Sequence, residues 1–197
     1  MDINNPQAWL IIAVVVVALI IVVGLVTREM RRRQSVRLRR RFGPEYARTV
    51  TERGDRSKAE AELLAREKRV ERLKIVSLSP QDKARFTDAW RTLQTRFVDN
   101  PRGVVADADR LVRDLMVKRG YPMADFEHRA ADISVDHPTV VDAYRSARAI
   151  AVRDERGEAS TEELRKAVVY YRTLFDDLLE LPQGQDSSLG NKEVVHS

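Results

Sequence analysis

Cysteine is absent from the 197-residue chain, so disulfides and a thiol nucleophile are excluded, and the lack agrees with a reducing compartment without demanding one. The commonest catalytic signatures are missing too. There is no HExxH, no phosphate-binding P-loop and no GxGxxG turn. No useful length of strand-like alternation occurs, which leaves an all-α fold as the expectation. Charge is missing from one place above all: between Asp2 and Arg28 there is no Asp, Glu, Lys or Arg.

That uncharged interval holds WLIIAVVVVALIIVVGLV, from Trp9 to Val26. Eighteen helical residues span about 27 Å, close to the roughly 30 Å hydrocarbon core of a bilayer, and Gln7 or Thr27 can extend the segment at the interfaces. A core helix of a small domain keeps a polar stripe, whereas this one is apolar all round. The leader MDINNPQA has no Lys or Arg and no small-x-small cleavage site lies beyond the run, so an uncleaved anchor is predicted rather than a signal peptide. Residues 9–27 are read as a transmembrane helix, residues 1–8 as a short extracytoplasmic N-terminus, and Trp9 as an aromatic-belt residue at headgroup level.

The C-terminal flank of the run is strongly biased toward one sign. Arg28, Arg31, Arg32, Arg33, Arg37, Arg39, Arg40 and Arg41 stand against Glu29 alone, a net of +7 over residues 28–41. The positive-inside rule puts the N-terminus outside and everything beyond about residue 28 in the cytoplasm. These arginines, in a juxtamembrane segment 28–43, are the expected contacts to anionic lipid headgroups, at roughly 1 kcal/mol each near the surface. The whole chain carries +5. Subtracting the +7 and restoring Asp2 leaves residues 42–197 at −1. The basic character therefore belongs to the anchor, and a nucleic-acid partner is not expected.

Beyond Gly43-Pro44 the chain reads as successive helices making one soluble bundle over residues 44–181, with a disordered tail at 182–197. Pro44 to Val50 is a short helical candidate. DRSKAEAELLAREKRVERLKI is predicted as one helix, with Ala59, Leu63, Arg66, Val70 and Leu73 in a coiled-coil-like seam that would allow a homo-oligomer. Ser79 caps the next helix, Pro80 opens it, and Phe86, Trp90, Leu93 and Phe97 form its apolar stripe. Pro101 opens another, with Val105, Ala108, Leu111, Val112 and Leu115 facing inward until Gly120. Asp125 to Ser134 is shorter and carries Phe126, Ala130 and Ile133. Pro138 is expected in the first turn of a helix presenting Val141, Tyr144, Ala147, Ile150 and Ala151. Ser160 to Glu163 spells a capping box. The last helix is the most apolar, with Leu164, Val168, Tyr171, Leu174, Phe175, Leu178 and Leu181 in a stripe widened by Val169 and Leu179, and Pro182 closes it. Such a stripe serves either the bundle centre or a partner-binding face, and it is the candidate face for a protein partner.

One dense constellation of ligating side chains exists, DFEHRAADISVDHP, with Asp125, Glu127, His128, Asp132, Asp136 and His137. Carboxylates with imidazoles suit zinc, manganese or iron, and His128 and Asp132 at i,i+4 would share a helix face. Asp136 and His137 also stand where a cap before Pro138 belongs, so capping and solvation account for the cluster more simply, and no cofactor or catalytic residue is assigned. The pairs Asp107/Asp109 and Asp176/Asp177 have no histidine near them in sequence.

The stretches FGPEYARTV, GDRSKAEAELLAREKRVERL, RFVDNP and DFEHRAADISVDHPTVVDAYR resemble an uncharacterised family of bacterial single-pass membrane proteins with a cytoplasmic helical domain. The resemblance covers residues 42–181 and the anchor. It implies a bacterial inner-membrane setting and brings no activity with it. Where members of that group tend to carry Gln this chain has His128, which argues against a ligand role there. The function expected is a membrane-anchored helical interaction or scaffold module, and the alternative is a metal-dependent enzyme using the Asp125–His137 cluster.

Overall fold

A computed structural model describes the backbone from Pro6 to Glu180 and side chains from Val15 onward. The expectations for Trp9, Leu181, Pro182 and the tail 182–197 lie outside the described side chains. Eight helices and no strand occur among the described residues: α1 (Pro6–Phe42), α2 (Pro44–Arg53), α3 (Arg56–Val70), α4 (Pro80–Thr95), α5 (Pro101–Arg119), α6 (Phe126–Asp136), α7 (Val141–Glu155) and α8 (Thr161–Glu180). The fold is all-α. Among the described residues no helix is long and apolar enough to cross a membrane. Of the run Trp9–Val26, the described side chains begin at Val15.

The chain divides into two compact units, one up to Glu60 and one from Ala61. In the first, α1 does not end where the apolar run ends. It continues to Phe42 as one helix of 37 residues. Residues 25–42 contain neither Gly nor Pro and are rich in Arg, Leu, Met and Gln, which favour helix, so nothing stops it. Gly43, at φ 49°, makes the corner, and Pro44 opens α2 directly after it. Leu38, Phe42 and Tyr46 are buried around that corner. The Tyr46 hydroxyl donates to Glu60 Oε1 at 2.6 Å, and Arg56 Nε donates to both the Tyr46 oxygen (3.1 Å) and Glu60 (2.9 Å). Burial works against the Glu60 carboxylate, yet hydrogen bonds from Tyr46, Ser35 and Arg56 outweigh it and hold its pKa below the ordinary value.

The second unit is a bundle built around α8, which packs against both α5 and α7, while α4 covers α5 and α6 covers α7. The stripe of α8 fills the middle: Leu164, Ala167, Tyr171, Leu174, Phe175 and Leu178 are all buried. Trp90 of α4 stacks on Phe175 with centroids 4.7 Å apart, and Tyr144 of α7 meets Tyr171 edge-on at 6.3 Å. The buried Tyr171 hydroxyl donates to Asp109 of α5 at 3.1 Å. Burial raises the Tyr171 pKa, and the neighbouring Asp109 charge adds to it.

Five expected boundaries are corrected: α2 runs three residues past Val50 to Arg53, α4 ends at Thr95 before Phe97 of its expected stripe, and three more differ. α3 stops at Val70 instead of running to Ile75, because Val76 is drawn into the end of α5: its N–H donates to the Arg119 carbonyl and its carbonyl accepts from Arg119 Nη1, both at 2.9 Å. Pro138 does not begin α7. It lies in a turn closed by the Val140 N–H on the His137 carbonyl (3.2 Å), and α7 starts at Val141. α6 runs two residues past Ser134, to Asp136.

Candidate functional site

All eight arginines of residues 28–41 are exposed on the continuous helix. At 100° per residue they point to every side of it, whereas Ser35, Leu38 and Phe42 are buried and share one face. Arg33 pairs with Glu29 at 2.9 Å, and that hydrogen bond is the chief reason the Glu29 carboxyl lies below its ordinary pKa. Arg39 stacks over the Tyr46 ring at 5.2 Å. This stretch is a solvated cationic helix in which Leu38 and Phe42 are covered and Met30 and Val36 are the exposed large apolar side chains.

The Asp125–His137 cluster disperses. Asp125 caps α6, accepting from the His128 N–H at 3.0 Å, and its second oxygen meets His128 Nδ1 at 2.5 Å; the backbone bond is the main cause of its lowered pKa. Glu127 pairs with Arg145 of α7 at 2.8 Å. Asp132 is buried and takes Arg69 of α3 at 2.6 Å. Asp136 accepts from the Tyr121 hydroxyl at 3.0 Å. Each carboxylate thus serves a different neighbour, and among the described residues no group of three or more His, Asp or Glu side chains could hold a metal ion.

His137 does something of which the local sequence carries no sign. It is buried, with Nδ1 hydrogen-bonded to Asp177 of α8, forty residues away, and Nε2 buried without a hydrogen-bond partner. An imidazole oriented by a carboxylate is half of an acid–base arrangement. The ring nitrogen that would meet a substrate is closed off inside the protein, so the geometry serves to fasten the α6–α7 turn onto α8.

Two expected interaction faces are occupied. The α8 stripe is the bundle's centre, which corrects its candidacy as a partner face; of the described residues predicted for it, only Val169 is exposed. The α3 seam is likewise covered within one chain: Ala59, Leu63, Arg66 and Val70 are buried, with Arg66 on Glu62 at 2.5 Å. By residue type alone Arg66 interrupts an apolar stripe. In the structure it lies inside that stripe, neutralised by its own helix.

Compared with known proteins, the chain matches no family model, no curated protein and no solved structure.

Proposed function

We propose that this protein is a single-pass membrane-anchored interaction module, with α1 inserted through the apolar run Trp9–Val26 and the helical bundle on the cytoplasmic side, where it recruits or scaffolds a protein partner. The observation that supports it is the change of character along one unbroken helix: Val15 to Val26 is apolar on every side and exposed, and eight arginines succeed it within fifteen residues of Val26. A dozen consecutive exposed apolar residues are costly in water at roughly 25 cal/mol per Å² and favourable in hydrocarbon. The cationic flank opposes translocation and meets anionic headgroups, so it sets N-out, C-in orientation. The bacterial inner membrane is the setting this reading favours.

Alkaline extraction of membranes containing the full chain tests the anchor, and protease access in right-side-out and inverted vesicles tests the orientation. Retention in the pellet with the bundle cleaved only in inverted vesicles is the expected result. Release into the supernatant overturns the proposal. The metal-dependent alternative finds less support: Asp125 and His128 hold each other, Glu127, Asp132, Asp136 and His137 each turn to a group outside the cluster, and among the described residues no three His, Asp or Glu side chains gather.

A further inference from the structure

α1 continues 16 residues past Val26 without interruption. Given the anchoring reading above, on which this rests, we infer that residues 27–42 form a rigid spacer standing up from the membrane, and that the eight arginines divide into a lipid tier and a raised tier.

A transmembrane helix leaves the bilayer tilted on average by about 20° from the normal. For its continuation to lie down on the headgroups it must kink by most of a right angle. Sharp kinks arise at Pro, at Gly/Ser pairs or at local bulges in the hydrogen-bond ladder. Residues 25–42 contain no Pro and no Gly, and Ser35, their single serine, keeps its hydroxyl on the Arg31 carbonyl at 3.0 Å within a regular turn. The first available bend is Gly43, at φ 49°.

A flat helix also needs an apolar face to give the membrane. Leu38 and Phe42 are buried at 0% exposure and cannot supply one, and the exposed Met30 and Val36 lie about 120° apart around the axis, so they do not form a single stripe. The arginines encircle the axis, so laying the helix flat would turn about half of them away from the lipid. At about 1.5 Å per residue Arg28, Arg31, Arg32 and Arg33 fall within about 11 Å of the end of the lipid-facing run, on the order of one Debye length, which is about 8 to 10 Å near physiological salt. Arg37, Arg39, Arg40 and Arg41 stand roughly 13 to 20 Å beyond Arg28 and are screened from the surface. Within the raised tier Arg39 lies over the Tyr46 ring, and Ser35, Leu38, Phe42, Tyr46 and Glu60 hold α1 to α2 and to the first turn of α3. The Gly43 corner is thereby set about 24 Å above the end of the apolar run.

The natural lack of cysteine makes the test direct. Met30→Cys, Val36→Cys and Arg40→Cys, each in the full chain, are labelled with a fluorophore and reconstituted in vesicles of zwitterionic and anionic lipid carrying a headgroup quencher. Quenching should fall steadily along the series, with a height difference near 15 Å between positions 30 and 40. Equal quenching at all three positions overturns the spacer while leaving the anchor intact. Loss of the chain from the vesicles in alkaline wash overturns the anchor and the spacer with it. Val36→Pro, combined with the label at position 40, should bring that label toward the headgroups; an unchanged height there counts against helix continuity as the cause.

Discussion

Arg119, the last residue of α5, reaches across the bundle and donates from Nε to the carbonyl of Leu178, near the end of α8, at 2.9 Å. A second nitrogen of the same guanidinium holds Val76 at 2.9 Å. One buried cation thus pins an extended segment and a helix terminus together. Burial lowers its pKa from the ordinary arginine value. Arg119→Met keeps volume but leaves two carbonyls without these donors, and should cost about 2–3 kcal/mol in denaturant unfolding. Arg119→Lys, which cannot fork, should fall between that and the parent. A loss below about 0.5 kcal/mol for the Met variant would show that water replaces the guanidinium freely.

The neighbouring glycine is fixed by two independent constraints. Gly120 adopts φ 96°, and a Cβ there would sit 2.3 Å from the Lys74 carbonyl oxygen. Gly120→Ala should destabilise by about 2 kcal/mol or more, since the left-handed cost of roughly 1–2 kcal/mol adds to displacement of the passing backbone. Gly103→Ala is the contrasting case. The three atoms nearest its Cβ would all belong to the Asn100 side chain, Nδ2 at 2.2 Å, so the gain in helix propensity and the disturbance of that cap, each about 1 kcal/mol, should nearly cancel. Thermal unfolding of the two variants separates them.

The aromatic stack at the α4–α8 contact should dominate the core. Trp90→Ala and Phe175→Ala each remove a ring that is 1% exposed, and each should cost about 3–5 kcal/mol. Because the rings stack at 4.7 Å, the double variant should cost less than the two single losses together, by roughly 0.5–1.5 kcal/mol. Strict additivity in the cycle would show that area burial alone accounts for the pair.

Acid should loosen the start of α8 late. Glu163 accepts from the Ser160 N–H at 2.8 Å, and this bond, with those from Arg153 and the Ser160 hydroxyl, lowers its pKa to about 2. A depressed carboxyl contributes stability that is present above its unfolded pKa, near 4.3, and is lost as pH falls through the folded value. The Glu163 contribution should therefore fade between about pH 4.5 and pH 2. In Glu163→Gln the amide can still accept while the charge is gone, so that part of the acid dependence should flatten. Carboxyl carbon NMR titration of Glu163 checks it directly, and a midpoint above about 4 would contradict the capping geometry.

Much of this architecture is legible in the sequence because it rests on local signals. Ser79, Asn100, Ser160, Pro44, Pro80 and Pro101 act where their side chains and rings allow, at helix starts. Most of the stripe positions of α4, α5, α7 and α8 are buried as their spacing requires, while Phe97, Leu111, Ile150, Val168 and Leu179 are half-buried and Val169 is exposed. The departures are nonlocal. Nothing near residue 71 announces that Arg119 will hold Val76, so local propensity extends α3 five residues too far. Asp177 has no histidine beside it in sequence, yet receives His137 from forty residues away. The acidic cluster resembles a ligand set only while adjacency in sequence stands for convergence in space. On a helix, Glu127 and Asp132 face different neighbours, Arg145 and Arg69, and are drawn apart. Of the candidate site, the arginine count is readable. The unbroken helix carrying those arginines is not, because a change from apolar to charged looks like a boundary even where the backbone has no reason to stop.

The central position of α8 carries a consequence for how the chain is made. Synthesis proceeds from the N-terminus, and α4, α5 and α7 emerge with their apolar stripes before the helix that covers them exists. Trp90 and Tyr144 must wait for Phe175 and Tyr171, so the bundle closes only once translation has passed residue 178. A ribosome stalled before α8 would hold an unclosed bundle with exposed apolar faces, a ready target for quality-control proteases, whereas completion of one last helix would mature the whole domain in a single cooperative step.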